Sequence, residues 1–194
     1  MAKEVIHPDL FDSLGIIYTP QQCQDLLDSL ISEVDWQHEY FSYGRRFDVP
    51  RLQAWYADAG VHYRYADNML QSHPWIPLLL SIKQTVEQQS GHEFNSALVT
   101  YYRDGHDYVT WHADDEPELG DAPVIASLSL GATREFRFRH KGNGHIGSLS
   151  LHDGELLIMH PEFQQAWEHA VPQQSDIVSP RINITFRKVI MVRE

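Results

Sequence analysis

Residues 124–140 read VIASLSLGATREFRFRH: a strand-like run, VIASLSLG, a break at Gly131-Ala132, and a second strand-like run, REFRFRH. The same punctuated pattern extends in both directions. Upstream lie SALVTYY (96–102) and DYVTWH (107–112); downstream lie GSLSL (147–151), ELLIMH (155–160), QAWEHAV (165–171) and RINITFRKVI (181–190). The breakers between them include Asp104-Gly105, Gly142-Asn143-Gly144 and Asp153-Gly154. Eight short strands punctuated in this way predict a double-sheet jelly roll or a related barrel.

The N-terminal part of the chain is patterned differently. Thr19-Pro20 has the form of an N-cap followed by proline in the first helical turn, and Cys23, Leu26, Leu27, Leu30 and Ile31 follow at helical spacing. This predicts a helix over 20–34. Ile76, Leu79, Leu80 and Val86 predict a second, from Trp75 to Ser90-Gly91, with Lys83 as its one polar interruption. Residues 36–65, rich in aromatic and β-branched residues, read as hairpins. The fold class is therefore α+β, mainly β: one domain over 1–194, with N-terminal elements to about 92 and the jelly-roll (double-stranded β-helix) core from about 93 to 194.

Composition narrows the functional classes. The 194 residues are 42% hydrophobic and 11% aromatic, enough for a substantial core. The one cysteine, Cys23, sits in the first helix's apolar stripe, which excludes a disulfide framework or a cysteine-based zinc site and fits a reducing compartment. No signal peptide or membrane-length apolar run is present, so the expectation is a soluble, cytoplasmic protein with no membrane partner, working as a monomer. A formal charge of −12 opposes tight, nonspecific binding to a polyanion. Local basic clusters remain at Arg45, Arg46 and Arg51, and at Arg134, Arg137, Arg139, His140 and Lys141; on charge alone they fit solvated strand faces equally well.

In TWHADDE, His112 and Asp114 are two residues apart, so an extended backbone projects both from one face. His169 lies on a later strand that a jelly roll can bring alongside. Two imidazoles and one carboxylate form the facial triad that leaves positions open on Fe(II), whereas a closed zinc site wants four ligands. Among 12 histidines the pattern alone also fits ordinary surface residues. RINITFR supplies the companion feature: on a strand Arg181, Asn183, Thr185 and Arg187 share one face, and Ile182, Ile184 and Phe186 the other. Two guanidiniums, an amide and a hydroxyl suit a small dicarboxylate. An edge strand with its polar face in water would show the same pattern.

Together, and in this order, these motifs resemble the AlkB family of nucleic-acid dealkylating dioxygenases. The resemblance runs from about Phe41 to Lys188 through FNSALVTYYRDGHDYVTWHADDEPELG, PVIASLSLGATREFRFRHK, DGELLIMHPEFQQAWEHAVP and SPRINITFRKV, and is closest to homologues reading HxDDE that handle DNA or RNA. It implies that His112, Asp114 and His169 ligate Fe(II). Arg181 would pair with the distal carboxylate of 2-oxoglutarate, helped by Tyr102 and Asn183. Arg187 would sit beside the cosubstrate's other end, and Thr185 would support that wall. Thr100 departs from the family, which commonly has Asn there, so cosubstrate affinity or geometry is expected to differ.

The resemblance further implies that FSYGRRFDVPRLQAWYADAGVHYRY (41–65) is a nucleotide-recognition lid. Tyr43, at its tip, falls where DNA-repairing relatives carry an aromatic wedge. Tyr63 and Tyr65 would stack on a flipped base, and Arg51 would fasten the lid or touch a phosphate. Asp115 and Glu116 would line the substrate mouth, favouring cationic alkylated bases over normal ones. The implied reaction uses O2 and 2-oxoglutarate to hydroxylate an N-alkyl carbon on bases such as 1-methyladenine or 3-methylcytosine in DNA, giving succinate, CO2, an aldehyde and the repaired base. Alternatives within the class are an RNA demethylase or a protein hydroxylase; outside it, a nonenzymatic jelly-roll binding module.

Overall fold

The computed structural model describes residues 10–42, 45–62, 64–65, 68–69 and 72–190, with backbone alone for 39–42, 45–47, 64–65 and 68–69. In chain order the elements are β1 (Phe11–Ile16), α1 (Pro20–Glu33), β2 (Gln37–Ser42), β3 (Arg45–Ala57), β4 (Arg64–Tyr65), β5 (Asn68–Met69), β6 (Ser72–His73), α2 (Pro77–Ser90), β7 (Ser96–Tyr102), β8 (Val109–His112), β9 (Ile125–Gly131), β10 (Arg134–His140), β11 (Ile146–Leu151), β12 (Glu155–Met159), α3 (Pro161–Ala166), β13 (Trp167–Val171) and β14 (Arg181–Arg187). A short 3₁₀ turn, Pro117–Leu119, follows β8.

Two sheets form the jelly roll. The larger runs β1-β12-β9-β14-β7-β3-β2, with β6 paired to β3, and the smaller runs β11-β10-β13-β8. Alternation along the strands decides what each face meets. On β14, Ile182, Ile184 and Phe186 are fully buried in one cluster with Leu27 and Leu30 of α1 and Leu79, Ile82 and Val86 of α2. The helices therefore cover the outer face of the large sheet. Its other face meets the small sheet: Phe11, Ile125, Leu157 and Met159 pack with Phe136, Phe138, Leu149 and Val171. Because β12 is covered on both faces, its sequence, ELLIM, reads as a nearly continuous apolar run rather than an alternating one.

Both helices form close to where the sequence puts them. Thr19 caps α1 through a reciprocal box: its hydroxyl accepts from the Gln22 N–H while the Gln22 side chain accepts from the Thr19 N–H. Cys23 is buried in this helix as a core residue. α2 begins at Pro77, two residues later than expected, and ends on Gly91 with φ 72°. Lys83, the polar interruption, pairs with Glu87 one turn on, at 2.8 Å. Within 36–65, the strands β2 and β3 pair antiparallel and extend the large sheet beyond β7.

Three expectations need correction. RINITFR is a central strand, hydrogen-bonded to β7 on one side and β9 on the other, so the edge-strand reading falls. QAWEHAV is not all strand: Gln165 and Ala166 close α3, which starts with Pro161 at its first position and is too short to show helical periodicity. The cluster 134–141 is not a free basic face. Arg137 pairs with Glu135 at 2.9 Å, Arg139 with Glu168 at 2.7 Å, and Lys141 with Asp115 at 2.8 Å. Arg134 is buried and donates to the carbonyls of Asp104, Asp107 and Pro172 and to Gln174 Oε1.

Arg134 thus ties the 103–108 turn to the 172–177 turn, across the end of β10. Its replacement by Met leaves several buried carbonyls without a donor, and the expected loss is about 2–3 kcal/mol. A shift of the urea midpoint with unchanged slope measures it; an unchanged midpoint would contradict the role. Among the described residues no helix is long and apolar enough to cross a membrane.

Candidate active site

The end of β8 and the middle of β13 lie side by side, with His112 directly opposite His169 in the register. Asp114, two residues past His112, turns back into the same space. One ligand atom from each of the three lies within 4.8 Å of the others. The two imidazole rings are 4.2 Å apart, and Phe136 and Phe163 pack around His169 with centroids at 5.2 and 5.5 Å.

The electrostatics favour a cation. His112 Nδ1 donates to the Thr110 carbonyl at 2.8 Å, which fixes the tautomer and leaves Nε2 with its lone pair. Desolvation pushes both imidazoles below their ordinary range; for His169 the neighbouring His112 adds to it, while Asp114 opposes it at both. Burial would raise the Asp114 carboxyl, but Arg187 and the two histidines outweigh it and hold the group at about 2. The site therefore presents two neutral imidazoles and one carboxylate. His169 Nδ1 is buried without a hydrogen-bond partner among the described residues. Such a donor set fits a divalent ion, and Fe(II) in particular.

Arg187 lines the cavity beside the triad and reaches one of the three residues directly. Its Nη2 donates to both carboxylate oxygens of Asp114, at 2.9 Å each, in a pair that is 5% and 1% exposed. The other polar residues of β14 face the same cavity, together with Arg51, Gln53, Thr100, Tyr102 and Ser127. Arg181, 1% exposed, donates from Nη2 to Ser129 Oγ at 2.9 Å, and leaves Nε and Nη1 without a partner among the described residues. Burial lowers its pKa to about 10, with Tyr102 pulling the other way. The Tyr102 ring lies 5.3 Å from the guanidinium carbons of both Arg181 and Arg134.

Asn183 donates to Ser127 Oγ at 2.8 Å and to the Leu128 carbonyl at 3.0 Å, and accepts from Thr185 Oγ1 at 3.1 Å. Thr100 is its register partner on β7. Ser127 and Ser129 were not singled out from the sequence. Their spacing in VIASLSLG, two hydroxyls alternating with Ala126, Leu128 and Leu130, was the available signal.

A model of the 2OG-Fe(II) oxygenase superfamily matches residues 9–187. In Mus musculus, alpha-ketoglutarate-dependent dioxygenase alkB homolog 3 is 42% identical over 178 residues, 84% of this chain and 60% of that protein. The DNA oxidative demethylase ALKBH2 of the same organism is 36% identical over 183 residues, 86% of this chain and 77% of that protein. The chain belongs to the AlkB family of 2OG-Fe(II) oxygenases. The solved structure of OsALKBH1 shares the fold of this AlkB-family chain, with a TM-score of 0.62 over 95% of it and 99% of that chain at 16% identity.

Among the residues that the family resemblance assigns to a substrate, Arg51 donates to the Tyr108 carbonyl at 3.2 Å and so fastens β3 to the 103–108 turn. Asp115 is held by Lys141, and Glu116 precedes the 3₁₀ turn. Tyr43 and Tyr63 lie outside the described residues, as does the Tyr65 side chain, whose backbone belongs to the β4–β5 pair.

Proposed function

We propose that this oxygenase removes alkyl groups oxidatively from N-alkylated bases of DNA, with His112, Asp114 and His169 holding Fe(II) and Arg181 holding the distal carboxylate of 2-oxoglutarate. The observation that carries the reading is Arg181: a buried guanidinium with two unused donor nitrogens, lining the same cavity as the triad. A carboxylate is the partner such a fork accepts. When bound, Fe(II) and 2-oxoglutarate supply the oxidising chemistry, in which one oxygen of O2 enters succinate, CO2 is released, and the other oxygen enters the N-alkyl carbon.

The chain's own residues position and exclude. Arg187 keeps Asp114 ionised, and the Thr110 carbonyl orients His112. Tyr102, Thr100, Asn183 and Thr185 form the wall against which the cosubstrate would lie, and Ser127 and Leu128 anchor Asn183. Val109, Phe136 and Leu151 supply apolar lining that limits water. Arg51, the Asp115–Glu116 pair, Tyr43, Tyr63 and Tyr65 are the residues proposed to meet the base. DNA is favoured as the target because a relative similar over most of this chain is named a DNA oxidative demethylase.

The test is formaldehyde release from matched single- and double-stranded DNA, RNA and a peptide, each with one N-methylated group, with 2-oxoglutarate omitted as blank. Release from methylated DNA is expected. Release from RNA alone would move the target, and release from peptide alone would end the repair reading.

A further inference from the structure

The loop that carries Asp114 belongs to no strand: β8 stops at His112 and the 3₁₀ turn starts only at Pro117. A carboxylate meant to stay within a few ångströms of two imidazoles cannot rely on a sheet ladder there. Something else must hold the backbone. In this chain it is α3, the short helix between β12 and β13.

Three consecutive residues of α3 grip different parts of the centre. Phe163 is fully buried and packs its ring on His169. Gln164, 1% exposed, accepts the Asp114 backbone N–H on Oε1 at 3.0 Å, while its Nε2 points at Met159 Sδ, 3.7 Å away. Gln165 reaches the Asp121 carbonyl, farther along the same connection, at 2.9 Å. Lys141 closes the arrangement from the β10–β11 turn. Its ammonium donates to the Gln164 carbonyl at 2.9 Å and to Asp115 Oδ2 at 2.8 Å, joining the helix to the residue next to Asp114.

We propose that α3 is the brace of the metal centre, with Gln164 a positioning residue for Asp114 and Lys141 the tie that keeps the loop against the helix. Phe163 and Gln164 are neighbours, so one rigid turn fixes His169 by packing and Asp114 by a hydrogen bond. A buried amide used this way holds the ligand backbone without adding charge near it. Arg187 grips the carboxylate and Gln164 the backbone, so the two constrain both ends of the Asp114 side chain.

The inference rests on reading His112, Asp114 and His169 as the metal centre, and Co(II) titration followed by visible absorption tests it apart from turnover. Partners behind a ligand shell typically change metal affinity by about 10–100-fold, and a Gln164→Leu chain is expected in that range. Lys141→Met, whose side chain is partly exposed, should weaken Co(II) binding by about two- to fivefold. Arg137→Ala, which cuts the outward-facing pair with Glu135, should leave it unchanged.

Thermal unfolding of the metal-free chains separates bracing from bulk stability. If Gln164→Leu lowers the melting temperature but binds Co(II) within twofold of the unaltered chain, the brace is overturned. Should Gln164→Leu fail to fold, Lys141→Met decides alone, and unchanged affinity there overturns the proposal. If the unaltered chain binds no Co(II), or Asp114→Ala binds it equally well, the reading of the triad falls and the brace with it.

Discussion

Arg181→Met is expected to weaken 2-oxoglutarate about 30-fold to a few thousand-fold while leaving the KM for the oligonucleotide nearly unchanged. The range follows from the roughly 2–5 kcal/mol that truncating one partner of a buried, hydrogen-bonded charge pair costs. Arg181 has nothing to fall back on: Ser129 engages only Nη2, and no other cation on β14 is available, because Arg187 is committed to Asp114. Arg181→Lys should recover part of the loss, since it keeps a positive charge but not the planar fork. Initial rates of succinate formation against 2-oxoglutarate concentration give the answer. A variant that loses kcat at an unchanged cosubstrate KM would remove Arg181 from the carboxylate.

Arg187→Met is expected to destabilise the metal-free chain by about 3–5 kcal/mol, the cost of leaving a buried charge without its partner. Asp114 is ionised at neutral pH because the Arg187 guanidinium beside it, the largest favourable influence, works against its burial. Without the guanidinium the carboxylate must take up a proton, admit water or let its loop move. A divalent ion can take over as counter-charge, so the gap between variant and unaltered chain should narrow when Co(II) is added before urea unfolding. A gap that is small without metal, or that does not respond to it, would show that Arg187 is not the compensating charge.

How much of this was legible in the sequence depends on the range of the interaction. The His112–Asp114 spacing, the polar face of β14 and the cap of α1 are local patterns, and each survives in three dimensions. The partner of Arg187 is not local. Asp114 lies 73 residues away, and only the pairing of β8 with β13 and of β14 with its neighbours brings the two together. Arg134 is the same case: its cluster looked like solvated charge, but its partners are backbone carbonyls of two turns that no periodicity points to.

The elements missed outright failed for a different reason. β1 has one anchor, Phe11, followed mainly by exposed residues, and it is a strand because β12 offers an open edge rather than because of its own alternation. α3 has six residues, less than two turns, and its Gln164 reads as a surface amide until the loop it holds is seen.

β14 is bonded on both sides, so its side-chain parity acts as a reading frame for the whole centre. One residue inserted within RINITFR would rotate every later side chain to the opposite face. Arg187 would move to the exposed place of Lys188, away from the cavity, and a phenylalanine would stand against Asp114 in its place. Insertions at the exposed positions 142–144 and 178–179 leave that frame intact and spare the contacts of Lys141 and Arg134, so the chain can vary in length there without losing its chemistry.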